Sequence, residues 1–361
     1  MRTTPDHTVL GEDAHVAILQ PAFLGDVVLA TALAESWHRA YPNHRISMLV
    51  RQEAAPLLEG HPFIHEVLVW NRRGPWKYVR LAWLALQLRR QRPDAVMNIH
   101  RYPSMDWVAK ATGAPWRSGF AKGGVATGSP GRHLLPHGLG DGRHETERNH
   151  SLSAGQLGDW NAALDQPQLH PRAADQRAAD DWPSGACVLA PASVWGTKRW
   201  PPGHWAQLAD ALHEKESDRP IILLGGPGDA ALLAEIASTC RSARPLQCAG
   251  RLGLLGSAAL MARASVVVSN DSAPLHMAGA MGTPVVGVFC STTPRFGFGV
   301  LPGMEQKGMA RNVEIPTQRL DCKPCGVHGH HTCPQRHFNC AVDLAPAEVL
   351  KAVLAVSSPP S

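Results

Sequence analysis

The stretch from residue 264 to residue 290 constrains the fold of this chain more than any other. Three consecutive valines, Val266–Val268, are typical of a strand buried in a parallel sheet. The next residues, Asn270–Ser272, are favoured as helix caps, and Pro274 is favoured in a first helical turn. A second apolar run, Val285–Phe289, predicts another strand after the helix. The stretch therefore predicts a βαβ unit, the building block of an α/β protein.

The loop between this strand and its helix is a candidate phosphate site. A helix N-terminus leaves backbone N–H groups without intrahelical partners and carries the positive end of the helix dipole. Asp271 can cap the helix or bond a ribose hydroxyl, Ser272 and the backbone of Ala273 can donate to an oxyanion, and His276 lies one turn further on the same rim. The spacing fits an ordinary capped helix with a packed histidine equally well.

A resemblance adds to this spacing. The pattern N-D-S-A-x-x-H-x-A-x-A-x-G-x-P at residues 270–284 resembles the nucleotide-binding signature of bacterial lipopolysaccharide heptosyltransferases, and most of all their heptosyltransferase II type. These are ADP-heptose-using enzymes of glycosyltransferase family 9. The resemblance continues in the same order over nearly the whole chain. It implies an α/β protein of GT-B fold, with two Rossmann-like domains facing each other across a cleft.

Length and composition agree with two domains. A chain of 361 residues exceeds the usual size of one hydrophobic core. We expect an acceptor-binding domain at residues 1–175, a nucleotide-sugar-binding domain at 176–345, and a C-terminal helix and tail at 346–361 that packs back towards the first domain. The apolar fraction is 44%, and the N-terminus has no secretory signal, which predicts a soluble cytoplasmic protein. A net charge of +5 suits an anionic substrate.

The first half begins with a second strand–loop–helix pattern. The apolar strand Val16–Gln20 leads into Gly25, which permits close backbone approach, and Asp26, a carboxylate at a predicted helix start. Asp26 can be a simple helix cap. The stretch also resembles the first motif of family 9, a Gly-Asp whose aspartate acts as the catalytic base, and this implies acceptor contacts near Gly25. The pattern G-x-G-x-x-G is missing here, which argues against a dinucleotide-dependent dehydrogenase.

Two further features of the first half bear on the acceptor. His100 and Arg101 end the predicted strand Ala95–Ile99, at the sheet edge where ligands gather, and are candidate acceptor-binding residues. The segment Asn71–Arg92 has seven basic residues, no acidic one and a helical apolar middle. It fits either a helix on an anionic membrane surface or a core helix with solvated ends. The Gly-rich run 122–142 predicts a loop.

The second half repeats the pattern. Cys187–Pro191 predicts a strand, and the loop after it contains Thr197 and Lys198. Adjacent cations at a strand end suit a pyrophosphate, although a Lys-Arg pair is usually a solvated surface. The sequence T-K-R-W-P resembles the K-x-W-P motif of family 9, whose lysine corresponds to Lys198. The segment ending at Asp229 resembles the family's ribose-contacting segment, with Asp229 in that role.

Four cysteines near the C-terminus follow the pattern C-x2-C-x7-C-x6-C among several histidines: Cys322, Cys325, Cys333 and Cys340. Such a set can hold a structural zinc ion, or the thiols can be reduced and buried. The cysteine frame also resembles that of many family members that are not known as metal-dependent catalysts. We therefore predict no required cofactor and no catalytic metal.

The resemblance implies an inverting transfer of heptose from ADP-heptose to the lipopolysaccharide inner core. Asp26 would act as the base, Lys198 and the Ser272–Ala273 backbone would stabilise the departing ADP, and Asp271 and His276 would hold the nucleotide. The expected partners are an ADP-sugar and a phosphorylated lipid A–core glycolipid, with peripheral contact at the inner membrane and no nucleic acid. A GT-B enzyme with another nucleotide sugar, or a non-catalytic nucleotide- or zinc-binding protein, are the alternatives.

Overall fold

The computed structural model describes residues 10–121, 132–153 and 163–357. The chain divides into two compact units. The first comprises residues 1–139 and 145–170, and the second comprises residues 140–144 and 171–361. The main division therefore falls between His170 and Pro171.

The first unit alternates strands and helices. Its elements are β1 (His15–Gln20), α1 (Leu24–Ala40), β2 (Arg45–Arg51), β3 (Ile64–Trp70), α2 (Lys77–Arg90), β4 (Ala95–Asn98), α3 (Pro103–Thr112), β5 (Trp116–Ala121), β6 (Arg132–Pro136) and α4 (Glu145–Ser151). The prediction of a loop over 122–142 is wrong at Arg132–Pro136, because this segment pairs in parallel with β5. Residues 122–131 of that prediction lie outside the described residues.

The first sheet has six parallel strands in the order β3-β2-β1-β4-β5-β6. The order reverses at β1, which pairs with β2 on one side and β4 on the other. β1 is buried along its whole length, as its near-continuous apolar sequence requires. In such a sheet, ligands bind at the carboxyl ends of the strands that flank the reversal. The segments after β1 and β4, which include Asp26 in the first turn of α1 and Arg101 in the loop after β4, occupy this position.

The second unit repeats the design. Its elements are α5 (Ala173–Asp180), β7 (Cys187–Ala190), α6 (Pro202–Lys215), β8 (Ile221–Gly225), α7 (Ala230–Thr239), β9 (Leu246–Ala249), α8 (Leu254–Ala262), β10 (Val266–Asn270), α9 (Ala273–Ala280), β11 (Val285–Phe289), α10 (Pro302–Gln306), β12 (Ala310–Glu314), α11 (Asn339–Val342) and α12 (Pro346–Ser357).

The second sheet has the strand order β12-β11-β10-β7-β8-β9, again fully parallel. Its reversal lies between β7 and β10, the strands that lead into the Lys198 loop and into the Asp271 turn. Both units thus have the Rossmann-type order, and the predicted α/β fold with two Rossmann-like domains is confirmed.

The C-terminal helix α12 belongs to the second unit. Its buried residues Val349, Val353 and Val356 join the core formed by α6 and the β-strands, next to Trp205 and Leu208 of α6. This apolar face is used within the second unit, and the expectation that the helix packs back towards the first domain stays a prediction. The helix therefore supports the sheet on which the Lys198 and Asp271 loops stand.

Candidate active site

The turn from β10 into α9 has the geometry expected of an anion-binding helix start. Ser272 has extended backbone angles, φ −157° and ψ 173°, and is the N-cap residue, while Pro274 lies in the first turn. The Ser272 hydroxyl donates to the carbonyl of Ala192 at 3.1 Å and does not cap the helix itself. The backbone N–H groups in the first turn of α9 therefore donate no hydrogen bond to the Ser272 side chain. This is the arrangement that a phosphate oxygen can use.

Lys198 and Asp271 form an ion pair. The Lys198 Nζ lies 2.6 Å from Asp271 Oδ2, and both side chains are largely buried. The Thr292 hydroxyl donates to the same carboxylate oxygen at 2.6 Å. We predicted separate roles for the two charged residues, but the structure joins them into one network. Thr292, at the carboxyl end of β11, is a member that the sequence did not indicate.

The loop that carries Lys198 is held against β10 by a buried amide. Asn270 Nδ2 donates to the Pro191 carbonyl at 2.6 Å, and the Trp200 amide donates to Asn270 Oδ1 at 3.1 Å. The Trp200 indole is also fully buried and donates to the Leu344 carbonyl at 3.0 Å. Trp200 is thus a packing residue, and Asn270 sets the position of the loop relative to the α9 N-terminus.

The segment between the C-terminal cysteines packs on the same loop. The Thr197 hydroxyl donates to the His330 carbonyl at 3.1 Å and accepts from the His330 amide at 2.8 Å and from Ser291 at 3.0 Å. Gly196 lies so close to the His331 backbone that a Cβ there would clash with its carbonyl oxygen. Thr197 is therefore buried, and its hydroxyl makes hydrogen bonds to this segment and to Ser291 rather than to solvent. The cysteine-rich segment is a structural support of the Lys198 loop.

A pair of glycines in this segment tests that role. Gly329 and Gly326 both have positive φ, +75° and +92°, so alanine at either position should cost about 1 kcal/mol in backbone strain. Only at Gly329 would the new Cβ lie 2.9 Å from the Thr197 hydroxyl and 3.0 Å from that of Ser291. We expect Gly329→Ala to lower the free energy of unfolding by a further 1–3 kcal/mol, roughly, and to weaken nucleotide binding. Equal calorimetric results for Gly329→Ala and Gly326→Ala would contradict the support role.

His276 is buried rather than placed on an open rim. It is only 5% exposed. Burial lowers the pKa of His276 to about 3, and the nearby charge of Lys198 acts in the same direction. The imidazole is therefore neutral at physiological pH. It can offer one N–H to a ligand, but it supplies no positive charge to a phosphate.

Asp229 caps its own turn. It ends a short 3-10 turn after β8, and its Oδ2 accepts from the Gly226 amide at 2.8 Å. The side chain is half-buried, at the carboxyl end of the strand next to β7. The predicted ribose contact at Asp229 stays a prediction, since one carboxylate oxygen is already used locally.

In the first unit, Asp26 lies in the first turn of α1. Its Oδ2 accepts from the Phe23 amide at 3.1 Å, so the capping role predicted as the alternative is present. Burial raises the pKa of Asp26 to about 6, and the negative charge of Glu145 raises it further against the effect of Arg101. A carboxylate with a pKa near 6 is a far better proton acceptor than an ordinary aspartate and is still ionised at neutral pH. The structure thus gives Asp26 a pKa that suits a general base.

Cationic side chains surround the end of β4. Burial lowers the pKa of His100 to about 3, and the positive charges of Arg72, Arg51 and Arg101 lower it further. His100 is thus a neutral, buried residue, whereas Arg101 is exposed. Arg51 donates to the Pro21 carbonyl at 2.8 Å and lies over the Phe23 ring, which holds the loop before Asp26. The sequence did not indicate Arg51, the last residue of β2, or Arg72, just after β3, as neighbours of His100, because no motif links them to β4 and only the strand order brings these strand ends together.

A buried chain of polar groups extends from Arg101. Arg101 Nη1 lies 3.4 Å from His137 Nδ1, and His137 Nε2 lies 3.1 Å from Glu145 Oε2. The fully buried Arg148 also donates to Glu145 at 3.0 Å. Burial alone would raise the pKa of Glu145, but the hydrogen bonds from His137 and Arg148 outweigh it and hold that pKa below its usual value. An ionised Glu145 therefore contributes to the raised pKa of Asp26.

The four C-terminal cysteines lie near one another, since Cys322, Cys325 and Cys333 each raise the pKa of Cys340, but no three of their sulfur atoms lie within 4.8 Å of one another. Among the residues that the structure describes, only Glu35, His61 and His170 bring three potential metal-binding atoms within 4.8 Å of one another. In that group His61 Nδ1 accepts from the Phe63 amide, so its proton is on Nε2, 3.4 Å from the Glu35 carboxylate. We interpret the group as a polar cluster around Glu35, which His170 contacts at 3.1 Å, because this His61 tautomer directs a proton and not a lone pair at its centre.

Two of the thiols near the C-terminus have a pKa above its usual value. Burial raises the pKa of Cys340 to about 12 and also raises that of Cys325. Cys325 Sγ donates to the Cys322 carbonyl at 3.1 Å, and Cys322 Sγ lies 3.8 Å from His337 Nε2. These contacts fit reduced cysteines that pack and bond locally, but the zinc site and this alternative to it both stay predictions.

A family model decides what kind of protein carries these two candidate sites. The model of glycosyltransferase family 9 (heptosyltransferase) matches residues 82–328. The chain belongs to glycosyltransferase family 9. It is 24% identical over 291 residues to the lipopolysaccharide core heptosyltransferase OpsX of Haemophilus influenzae, an alignment that covers 77% of this chain and 80% of that protein.

Solved structures agree on the fold. A family 9 glycosyltransferase from Veillonella parvula superposes with a TM-score of 0.78 at 18% identity, covering 97% of this chain and 99% of that one. The E. coli ADP-heptose lipopolysaccharide heptosyltransferase II superposes with a TM-score of 0.71 at 20% identity, covering 95% and 98%. The GT-B fold and the glycosyltransferase activity predicted from the sequence are confirmed.

Over the described residues, we find no helix of the length and apolarity needed to cross a membrane.

Proposed function

We propose that this family 9 enzyme transfers a heptose from ADP-heptose to the phosphorylated inner core of lipopolysaccharide, with inversion at the anomeric carbon. The observation that carries the proposal is that the motif residues lie where ligands bind in this kind of fold. In each unit, the residues that resemble the family motifs stand at the carboxyl edge of the sheet, beside the strand reversal where ligands bind. OpsX and heptosyltransferase II, by their names, act on lipopolysaccharide.

We assign proton removal to the first unit. The Asp26 carboxylate takes the proton of an acceptor hydroxyl while the hydroxyl oxygen forms a bond to the anomeric carbon of the donor. The raised pKa of Asp26, about 6, makes the carboxylate basic enough to accept that proton. Arg101 and Arg72, close to the end of β4, offer charge-assisted hydrogen bonds to phosphate groups of the acceptor.

We assign stabilisation of the leaving group to the second unit. The bond from the anomeric carbon to the diphosphate breaks, and negative charge accumulates on ADP. Backbone amides at the start of α9 and the Lys198 ammonium are positioned to bind that charge. Asp271 holds Lys198 in place before the donor binds, which limits the reorganisation required during the reaction.

The acceptor proposed here is a membrane glycolipid, and we therefore place the enzyme at the cytoplasmic face of the inner membrane in peripheral contact. Its donor is a water-soluble nucleotide sugar. The enzyme then joins a substrate from solution to one held at a lipid surface.

The test is a panel of donors and acceptors. The purified chain is incubated with ADP-heptose, other ADP-sugars and UDP-sugars, each with truncated lipopolysaccharide, and the products are weighed by mass spectrometry. We expect the mass of one heptose to be added from ADP-heptose, and much less transfer to an acceptor whose core phosphates have been removed. Transfer from a UDP-sugar in preference to ADP-heptose would support the alternative of another GT-B enzyme.

A further inference from the structure

One helix of the first unit exposes an apolar face that the fold does not cover. The inner face of α2, with Leu81, Leu84 and Leu88, is buried in the first core. The outer face presents a stripe at helical spacing, with the fractional exposures Trp76 65%, Val79 59%, Trp83 60% and Leu86 44%. These four residues are named the α2 stripe. A helix that is apolar on two faces normally has both of them buried.

The surroundings of the α2 stripe are strongly basic. The seven basic residues of segment 71–92 stand before and after the apolar middle of the helix, without one acidic residue between them. The adjacent acidic groups are engaged: Glu53 pairs with Arg73 at 3.0 Å, and Glu66 accepts from the side-chain amides of Gln87 and Gln91. The face therefore combines exposed tryptophans with an excess of positive charge.

We propose that the α2 stripe and its flanking basic residues dock this enzyme on an anionic lipid bilayer. Tryptophan is favoured at the boundary between headgroups and acyl chains, and arginine and lysine are attracted by anionic headgroups. A protein partner would match the apolar stripe, but the excess of positive charge around it complements an anionic lipid surface better. The docking specifies which face of the first unit meets the membrane, and it rests on the proposed glycolipid acceptor.

The basic surroundings continue towards the candidate acceptor site. Arg72, which precedes α2, is close enough to Arg51 and His100 to lower the pKa of each. Docking through α2 would therefore hold the cationic end of β4 near the headgroup layer. A glycolipid core that projects from the bilayer could then reach Asp26 without leaving the membrane.

Vesicle binding tests the proposal independently of catalysis. The full chain is sedimented with phosphatidylcholine vesicles and with mixed phosphatidylglycerol–phosphatidylcholine vesicles. We expect binding to the anionic vesicles only, weakened on the order of tenfold by Trp83→Ser and about fivefold for each of Arg80→Gln and Arg90→Gln. Val342→Ser and Arg241→Gln, at exposed positions of the second unit, are the matched controls and should bind like the parent chain.

A second measurement separates docking from the chemistry. Trp83→Ser should lower transfer to vesicle-embedded acceptor but leave transfer to a water-soluble, deacylated acceptor unchanged. Equal binding of the parent chain to neutral and anionic vesicles, or equal loss in Val342→Ser, would overturn the proposal. A concentration-dependent dimer that Trp83→Ser abolishes, without vesicle binding, would assign the stripe to a second copy instead.

Discussion

We expect the Asp26→Asn variant to turn over roughly 10²–10⁴ times more slowly than the parent chain, the usual contribution of a general base. Asparagine keeps the size of the side chain. Its carbonyl oxygen can still accept the hydrogen bond from the Phe23 amide, which is 3.1 Å long in the parent chain. It cannot take a proton. Affinity for ADP should change little, because Asp26 belongs to the first unit and the nucleotide is assigned to the second. Steady-state kinetics and calorimetry measure the two quantities.

Asp175 provides a matched control for this variant. It occupies the third position of α5, as Asp26 does in α1, and accepts from the Arg172 amide at 3.0 Å. Asp175→Asn therefore changes the same kind of capping contact away from the proposed base. Its turnover should equal that of the parent chain. A similar loss in both variants would mean that Asp26 acts only as a helix cap.

The pH dependence of kcat/KM gives an independent check. Asp26 is active only as the carboxylate, and its pKa is raised from 3.8 to about 6. Activity should therefore be full above about pH 7 and fall tenfold per pH unit below about pH 6. With an ordinary aspartate, the fall would begin only near pH 4. The step near pH 6 should be missing from the residual activity of Asp26→Asn.

The second large effect is expected at the Lys198–Asp271 pair. Lys198→Ala removes the cation assigned to the departing diphosphate, and we expect turnover to fall at least about tenfold, or about 1.4 kcal/mol. Donor binding should fall less, because the charge on the diphosphate grows as the bond to the sugar breaks. The same variant leaves the buried Asp271 carboxylate unpaired, which should lower the free energy of unfolding by about 3–5 kcal/mol.

A double variant separates these two effects. In Lys198→Met with Asp271→Asn no charge is left unpaired, so most of the stability lost in Lys198→Ala should return while turnover stays low. Arg199→Ala is the control for charge alone, since Arg199 is exposed and its guanidinium bonds the Ser193 carbonyl at 2.7 Å. Parent-like turnover of the double variant would exclude an electrostatic role for Lys198. Equal losses of turnover in Arg199→Ala and Lys198→Ala would mean that only the overall positive charge of the loop matters, and not the position of Lys198.

The fold could be predicted from the sequence because its signals are local. The valine run Val266–Val268, the capping residues after it and Pro274 each favour one backbone state regardless of the rest of the chain, and β10 and α9 form where they predict. The motif residues Asp26, Lys198 and Asp271 were located for a related reason. They follow strands, and parallel strands end at one edge of a sheet.

The electrostatic state of the site could not be read from the sequence. The pKa of Asp26 depends on burial and on Glu145, and the neutral state of His276 depends on the burial of α9, neither of which a motif records. The network that joins Thr292, Asp271 and Lys198 comes from loops after three different strands. Such contacts arise from strand order, which local propensity does not encode.

The outward face of α2 shows the same division. The apolar and basic composition of segment 71–92 was plain from the sequence and left two interpretations open, a membrane helix and a core helix. Periodicity alone indicates that a helix has apolar faces, but not which of them the sheet covers. Only the packing of Leu81, Leu84 and Leu88 into the first core decided that Trp76 and Trp83 lie in solvent. The sequence by itself determined the elements and the residue chemistry, whereas burial, charge pairing and exposure were decided by the tertiary structure, because they depend on neighbours that are distant along the chain.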